Sequence, residues 1–439
     1  MIRLAIALLV ACSTLLLPAS PAEQKGLFLL ALAGSLWLLE ALHLTVTALL
    51  VPVLAIALGI LDVKAALNAF TNPVIALFFG GFALASALRR HGLDALLAAR
   101  LVQLARGRLL PASLLLFAAC ALLSMWISNT ATVAMLLPLA LGLLCNTRDE
   151  RDRAVVTFVL LGLAWSASIG GAATLVGSPP NALAAASMGW NFRDWLAVGL
   201  PVSLALLPLG VLVLWLALRP SFSGYACVSA QTDFRWSGGT LATLAIFALT
   251  VAGWLFSDQV GNWLGVAKDA DSLVALAAAV ALLATRTIDW PTLERDTEWG
   301  VLLLFGGGIC LGAAMKASGA NDWLAQTLLG DVAGLSPLLV LLAIVAFVVF
   351  LTELVSNTAV TALLLPVFVP LAAELALEPG DIAAAIALSA SCAFMLPVAT
   401  PPNALVFAGG HVRQRDMMRA GLRMNLVAIA AITLWLAVR

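Results

Sequence analysis

The chain has 439 residues, 63% of them hydrophobic and 10% charged, with no formal net charge at pH 7. A soluble protein of this length needs more charge to cover its surface. The balance of 23 basic and 23 acidic residues leaves no excess that would attract nucleic acid. A mean hydropathy of +1.07 instead points to a membrane protein.

Apolar stretches of bilayer-spanning length follow one another along the chain. We read them near 4–20, 26–43, 45–61, 73–89, 109–146, 154–188, 195–218, 238–257, 270–285, 298–315, 336–376, 381–409 and 417–438. The first is short. Arg3, an apolar run and Pro18-Ala19-Ser20-Pro21-Ala22 also fit a cleaved signal peptide. A retained helix is the preferred reading, and the topology that follows is the same either way.

Residues 109–146 and 336–376 are too long for one span each. The first would make a helix of about 57 Å against a hydrocarbon core of about 30 Å. Each carries a polar S-N-T near its middle, so each is expected to fold back, as two full spans or as a re-entrant hairpin. Counting both as hairpins leaves eleven spans. With the N-terminus in the cytoplasm, six basic residues fall outside: Lys25, Lys64, Arg193, Lys268, Lys316 and Arg439. The other 17 of the 23 fall inside (23 − 6), which predicts N-terminus in and C-terminus out.

The six cysteines (Cys12, Cys120, Cys145, Cys227, Cys310, Cys392) form no C-x-x-C, and His43, His91 and His411 are far apart. Neither a disulfide framework nor a zinc site is expected.

The chain repeats itself. Residues 128–138 read S-N-T-A-T-V-A-M-L-L-P and residues 356–366 read S-N-T-A-V-T-A-L-L-L-P, identical at eight of eleven positions. Downstream, G-S-P-P-N-A-L at 177–183 matches A-T-P-P-N-A-L at 399–405. Upstream, Phe79-Gly80-Gly81 pairs with Phe305-Gly306-Gly307, where the glycines are expected to permit close helix packing. Under the topology above the two S-N-T hairpins enter from opposite sides, which makes the halves inverted repeats, a hallmark of secondary transporters. The expected organisation is an N-terminal helix at 1–25, a first repeat at 26–218, a cytoplasmic linker at 219–237 and a second, inverted repeat at 238–439. Within the repeats, scaffold helices occupy 26–108 and 238–335, while a hairpin and a broken helix occupy 109–218 and 336–439. The fold class is therefore all-α and polytopic.

The P-P-N breaks are the strongest pointers to a site. Pro179 and Pro180 lack amide donors, so a helix from residue 154 must unwind near Gly177 and a new one can start at the prolines. Pro401 and Pro402 do the same after Ala399. Non-helical backbone at membrane depth persists only inside protein or along a cavity. Each break presents a helix C-terminus suited to a cation and a helix N-terminus suited to an anion. The S-N-T tips add further helix starts, with Ser128 and Ser356 expected to cap as well as to bind. No Arg or Lys lies in either motif, so an anion's charge must be met by helix dipoles and co-bound cations. Glu353, three residues before Ser356, is an intramembrane acid that would either brace the hairpin or relay protons, bracing being preferred. No H-E-x-x-H, G-x-S-x-G or paired-Asp motif suggests an enzyme.

The duplicated S-N-T and P-P-N pairs resemble the divalent anion:sodium symporter (DASS) family of dicarboxylate and citrate carriers, over nearly the whole chain. The resemblance implies a homodimer in lipid whose protomers each move a transport domain against a scaffold, as an elevator. It implies one Na⁺ at Ser124, Ser128, Asn129 and Gly177, and a second at Thr352, Val355, Asn357 and Ala399, partly through backbone carbonyls. It places substrate carboxylates at Ser128, Asn129, Thr130, Ser356, Asn357 and Thr358, with Ser178, Thr400 and Pro401 nearby. Na⁺ is thus the expected coupling ion and a C4-dicarboxylate such as succinate, malate or fumarate the expected substrate, in the cytoplasmic membrane. A Na⁺-independent exchanger, a proton-coupled carrier using Glu353, and a sulfate or citrate carrier stay open as alternatives.

Overall fold

The structure is a computed structural model that describes residues 2–144, 152–222, 234–266, 268–328 and 336–439. Cys145, Cys227 and residues 223–233 of the expected linker lie outside the described residues. The described residues form helices and no strand.

In chain order the first half contains α1 (Ile2–Ser13), α2 (Pro21–Leu38), α3 (Leu44–Ala57), α4 (Val63–Asn68), α5 (Pro73–Arg90) and α6 (Leu93–Gln103). A hairpin of α7 (Leu109–Ser124) and α8 (Asn129–Leu143) follows. Then come α9 (Arg153–Ala173), α10 (Pro179–Met188) and α11 (Phe192–Leu218). The second half contains α12 (Gly238–Leu255), α13 (Ser257–Leu264), α14 (Ala270–Ala284), α15 (Trp290–Asp296), α16 (Trp299–Ser318) and α17 (Ala320–Leu328). Its hairpin is α18 (Pro337–Thr352) and α19 (Asn357–Phe368), followed by α20 (Pro379–Ala390), α21 (Pro401–Ala408) and α22 (Gln414–Val438).

Local chemistry sets many of these boundaries. Ser20 and Asn191 open α2 and α11 with reciprocal capping boxes to Glu23 and Asp194. Asn72 and Ser336 cap helices whose first turns begin with Pro73 and Pro337. The 4–20 stretch forms only a twelve-residue helix and one further 3-10 turn. The short helices α4, α6, α13, α15 and α17 fall between the apolar spans read from sequence. They are too short or too charged to register as spans; α6, for instance, carries Asp94 and Arg100.

Among the described residues, six helical segments are long and apolar enough to cross a bilayer by themselves. Apolar side chains point outward from several helices, among them Leu204, Leu212 and Leu216 of α11, Leu241 and Leu249 of α12, and Phe347 and Phe350 of α18. An apolar surface of this extent, on helices of spanning length, suits contact with lipid or another apolar surface rather than water.

Equivalent helices of the two halves pack alike. α5 packs on α14 and α16 on α3, and the glycines explain how closely. A Cβ on Gly80 would lie 2.6 Å from that of Ala275, and one on Gly307 would lie 2.6 Å from the Ala48 carbonyl. α8 packs against α21, and α19 packs against α10. Each hairpin therefore leans on the other half's broken helix, and this crossing brings the two motif pairs together.

Candidate functional site

Both long apolar runs fold back at their S-N-T. Residues 125–128 turn between α7 and α8, and residues 353–356 turn between α18 and α19. Both P-P-N stretches interrupt a helix, but the interruptions start earlier than the prolines suggest. The first spans residues 174–178, with a 3-10 turn at Leu175–Gly177, and the second spans residues 391–400. Helical bonding thus ends at Ala173 and Ala390 rather than beside Gly177 and Ala399.

Side chains replace the missing helical ladder, and they do so in matched fashion. The Asn181 amide donates to the carbonyls of Gly171 (2.9 Å) and Thr174 (2.7 Å). The Asn403 amide donates to those of Ala393 (3.0 Å) and Leu396 (3.1 Å). The spacing is the same in both halves, ten and seven residues back. Both asparagines are fully buried. The P-P-N asparagine is therefore the clasp of each break. The only sequence signal for it is its recurrence in both repeats.

A second matched pair lies beneath the tips. Ser124 Oγ donates to Asn129 Oδ1 at 2.6 Å, and Thr352 Oγ1 donates to Asn357 Oδ1 at 2.7 Å. These bonds fix both tip amides so that their oxygens face inward. Gly171 and Gly177 bring backbone up to the same place. A Cβ on Gly177 would lie 2.5 Å from Gly171 O and 3.0 Å from Ser124 O, and a Cβ on Gly171 would collide with Asn129 Oδ1. Oxygen atoms from α7, α8 and α9 thus converge around Gly177.

Ser128 and Ser356 occupy the N-cap positions of α8 and α19, but neither side chain makes a capping bond. The expectation that these hydroxyls cap their helices is corrected. Their backbones are extended, at ψ 141° and 128°, like that of the capping Ser336 at ψ 144°, so the side-chain rotamer rather than the main chain leaves the first-turn amides without these hydroxyls. Ser178 likewise makes no capping bond, whereas Thr400 accepts from Asn403 N at 3.3 Å.

One cavity of about 470 Å³ is lined by both tips and both breaks. Ser128, Asn129, Thr130, Gly177, Ser178, Val355, Ser356, Asn357, Thr358, Ala399, Thr400 and Pro401 all reach it. Ser124 and Thr352 do not; they are fully buried behind the tips. Four helix N-termini (α8, α10, α19 and α21) begin at this cavity. Backbone amides and positive dipole ends from both halves therefore face one space. The remaining wall comes from the α2–α3 turn and the start of α16, with Glu40, His43, Thr45 and Glu298. Sequence reasoning missed these residues because they belong to none of the matched motifs. Among the described residues no Lys or Arg lines the cavity.

Glu353 lies in the second hairpin turn, 3% exposed. Its carboxylate accepts four hydrogen bonds, from the amides of Phe394, Met395 and Leu396 and from Asn425 Nδ2, at 2.7 to 3.0 Å.

Residues 35–379 match the family described as citrate transporter. An "uncharacterized transporter" of Haemophilus influenzae is 46% identical over 95% of this chain and 92% of its own length. A "sodium-dependent dicarboxylate transporter SdcS" of Staphylococcus saprophyticus is 30% identical over 94% of this chain and 86% of its own. The crystal structure of the Alcanivorax borkumensis YdaH transporter superposes with a TM-score of 0.60 at 17% identity, covering 85% of this chain and 87% of that one. MtrF of Neisseria gonorrhoeae superposes with a TM-score of 0.55 at 15% identity, covering 85% and 84%. These two likenesses bear on the fold. With its broken helices, its shared cavity and these relatives, the chain belongs to the citrate transporter family, as a multi-pass secondary transporter of the citrate and dicarboxylate carriers.

Proposed function

We propose that the protein is a Na⁺-coupled symporter of C4-dicarboxylates such as succinate, malate and fumarate. The observation that carries this reading is the cavity onto which four helix N-termini open, with no lysine or arginine beside them among the described residues. A dianion can lay one carboxylate against Ser128-Asn129-Thr130 and Ser178, and the other against Ser356-Asn357-Thr358, Thr400 and Pro401. Helix dipoles offset only part of two negative charges, so cations must bind with the substrate. Neutral donors also let the anion go again.

The oxygen clusters suit small hard cations. We assign one Na⁺ to Ser124, Ser128, Asn129 and Gly177, and a second to Thr352, Val355, Asn357 and Ala399. Hydroxyl, amide and carbonyl oxygens are the donor types that alkali and alkaline-earth ions select. The name of the Staphylococcus saprophyticus relative supports both the coupling ion and the substrate class. Glu40 and Glu298 on the facing wall favour a dianion over citrate, because a third carboxylate would meet like charge.

The reading includes an N-terminus inside, a C-terminus outside, inverted halves and a homodimer in the cytoplasmic membrane. Transport would follow an elevator movement of the hairpins and broken helices along α16. In support, Gly308 and Gly312 give α16 a smooth face where it meets Ala362 and Pro366 of α19. The test is uptake of labelled succinate into proteoliposomes under an imposed Na⁺ gradient. Accumulation that collapses without Na⁺ is the expected result, and uptake indifferent to Na⁺ would remove the symport reading.

A further inference from the structure

The two halves match closely at the tips and at the asparagine clasps, but they differ at one position. Aligning Ser124 with Thr352 and Asn129 with Asn357 sets Met125 opposite Glu353. In the first half the fastening at this point is a single bond, from Thr174 Oγ1 to the Met125 carbonyl at 2.5 Å. In the second half it is a carboxylate.

The lengths of the breaks explain the difference. Residues 174–178 keep a 3-10 turn, so part of that backbone bonds to itself. Residues 391–400 form no helix, and three consecutive amides at 394–396 need acceptors from elsewhere. Glu353 Oε1 accepts from Phe394 N (2.7 Å), Met395 N (2.8 Å) and Asn425 Nδ2 (2.8 Å), while Oε2 accepts from Leu396 N (3.0 Å). A carboxylate has about four lone-pair sites, and four donors converge on this one, three at Oε1 and one at Oε2. Successive backbone amides converging on one acceptor form an anion nest, here filled from within the chain.

The surroundings hold the nest in place. Phe394 packs on Trp165 with ring centroids 5.4 Å apart. Gly421 of α22 abuts the backbone of Phe394 and Met395, and Asn425 is fully buried on the same helix. The fastened strand leads within a few residues to Ala399, Thr400 and Pro401 on the cavity wall.

We propose that Glu353 is the positioning residue of the second half-site: its carboxylate stands in for the helical ladder at 394–396 and so holds Ala399, Thr400 and Pro401 against the Asn357 tip. The first half has no such brace, so the two cation sites differ in rigidity, the second being preformed. The effect on Na⁺ rests on the symport reading, whereas the bracing does not.

The test uses full-length protein in lipid nanodiscs, as wild type, Glu353→Gln and Asn425→Ala. Amide hydrogen exchange is followed at 391–400, with 174–178 as internal reference. Glutamine leaves one acceptor oxygen for four donors. Exchange at 394–396 is expected to quicken by about tenfold or more, at about tenfold per lost bond. Asn425→Ala removes a donor without leaving an amide unpaired, and is expected to give a smaller change in the same place. Unchanged exchange at 394–396 in Glu353→Gln would overturn the proposal, as would equal quickening at 174–178, which signals general loosening.

The second readout is succinate uptake. The Na⁺ concentration for half-maximal uptake should rise several-fold in Glu353→Gln, with the pH profile unchanged from wild type. A Na⁺ curve identical to wild type would overturn the positioning role. So would a steep pH dependence in wild type that Glu353→Gln abolishes, because that marks a proton relay. If wild-type uptake ignores Na⁺, the symport reading falls, and the exchange data still decide the brace.

Discussion

Alanine at Asn181 or Asn403 removes a clasp while leaving the cavity lining untouched. In each half the amide serves an outer carbonyl, Gly171 or Ala393, and an inner one, Thr174 or Leu396. The inner carbonyl has a second donor, Gly177 N at 3.3 Å or Ala399 N at 3.2 Å. Each substitution therefore strands one buried carbonyl and weakens another. A stranded buried acceptor costs about 1–3 kcal/mol in soluble proteins, while polar contacts inside membrane proteins reach about 1.7 kcal/mol. A value of about 1.5 kcal/mol reduces the population of the clasped break about tenfold. The assay is the initial rate of succinate uptake, with thermal melting in detergent as the check on folding. Each single variant should lose about tenfold in rate with a small drop in Tm, and the double variant about a hundredfold, since the two breaks are separate. Rates within about twofold of wild type for either variant would refute the clasp, as would one variant inert and the other normal.

Other substitutions separate the remaining roles. Asn129→Ala and Asn357→Ala should each abolish uptake in protein that still elutes as one species; near-normal uptake in both would sink the ligand assignment. Gly171→Ala pushes a methyl into Asn129 Oδ1, whereas Gly142→Ala meets nothing within 4 Å. The first should raise the Na⁺ requirement sharply and the second should leave it unchanged. Glu40→Gln combined with Glu298→Gln should strengthen inhibition of succinate uptake by citrate several-fold, as read from competition curves. Between the apolar spans, Thr292 and Arg90 hold the Asp289 carboxyl well below the usual carboxylate range. A carboxyl whose folded pKa is depressed contributes stability above its unfolded pKa, about 3.9, and loses it as pH falls through the folded value. Asp289→Asn should therefore lower Tm equally at pH 8 and pH 6, with the difference closing only below the ordinary carboxylate range.

Much of the site was legible before any coordinates. The tips, the breaks and their order in both halves followed from two long apolar runs, each interrupted by S-N-T, and from paired prolines that cannot continue a ladder. All the expected substrate positions line the cavity. The extents of the breaks were not legible. Prolines mark where the next helix starts, but where the previous one ends depends on acceptors and donors brought from afar. Asn181 and Asn403 reach back ten residues, and Glu353 reaches forward more than forty. Glu40, His43 and Glu298 were invisible for a related reason: nothing in their local sequence distinguishes a cavity wall from a helix end.

Hydropathy and the internal repeat by themselves determined a helical membrane carrier with two hairpins and two broken helices, because lipid demands that backbone polarity be satisfied and proline states where it cannot be. Tertiary structure decided the rest. It set α8 on α21 and α19 on α10, so that four helix starts share one space. It also gave the second break a buried carboxylate where the first has only a main-chain carbonyl. Sequence similarity between the halves conceals that difference, because a side chain's partner is chosen by proximity in the folded chain rather than by position along it.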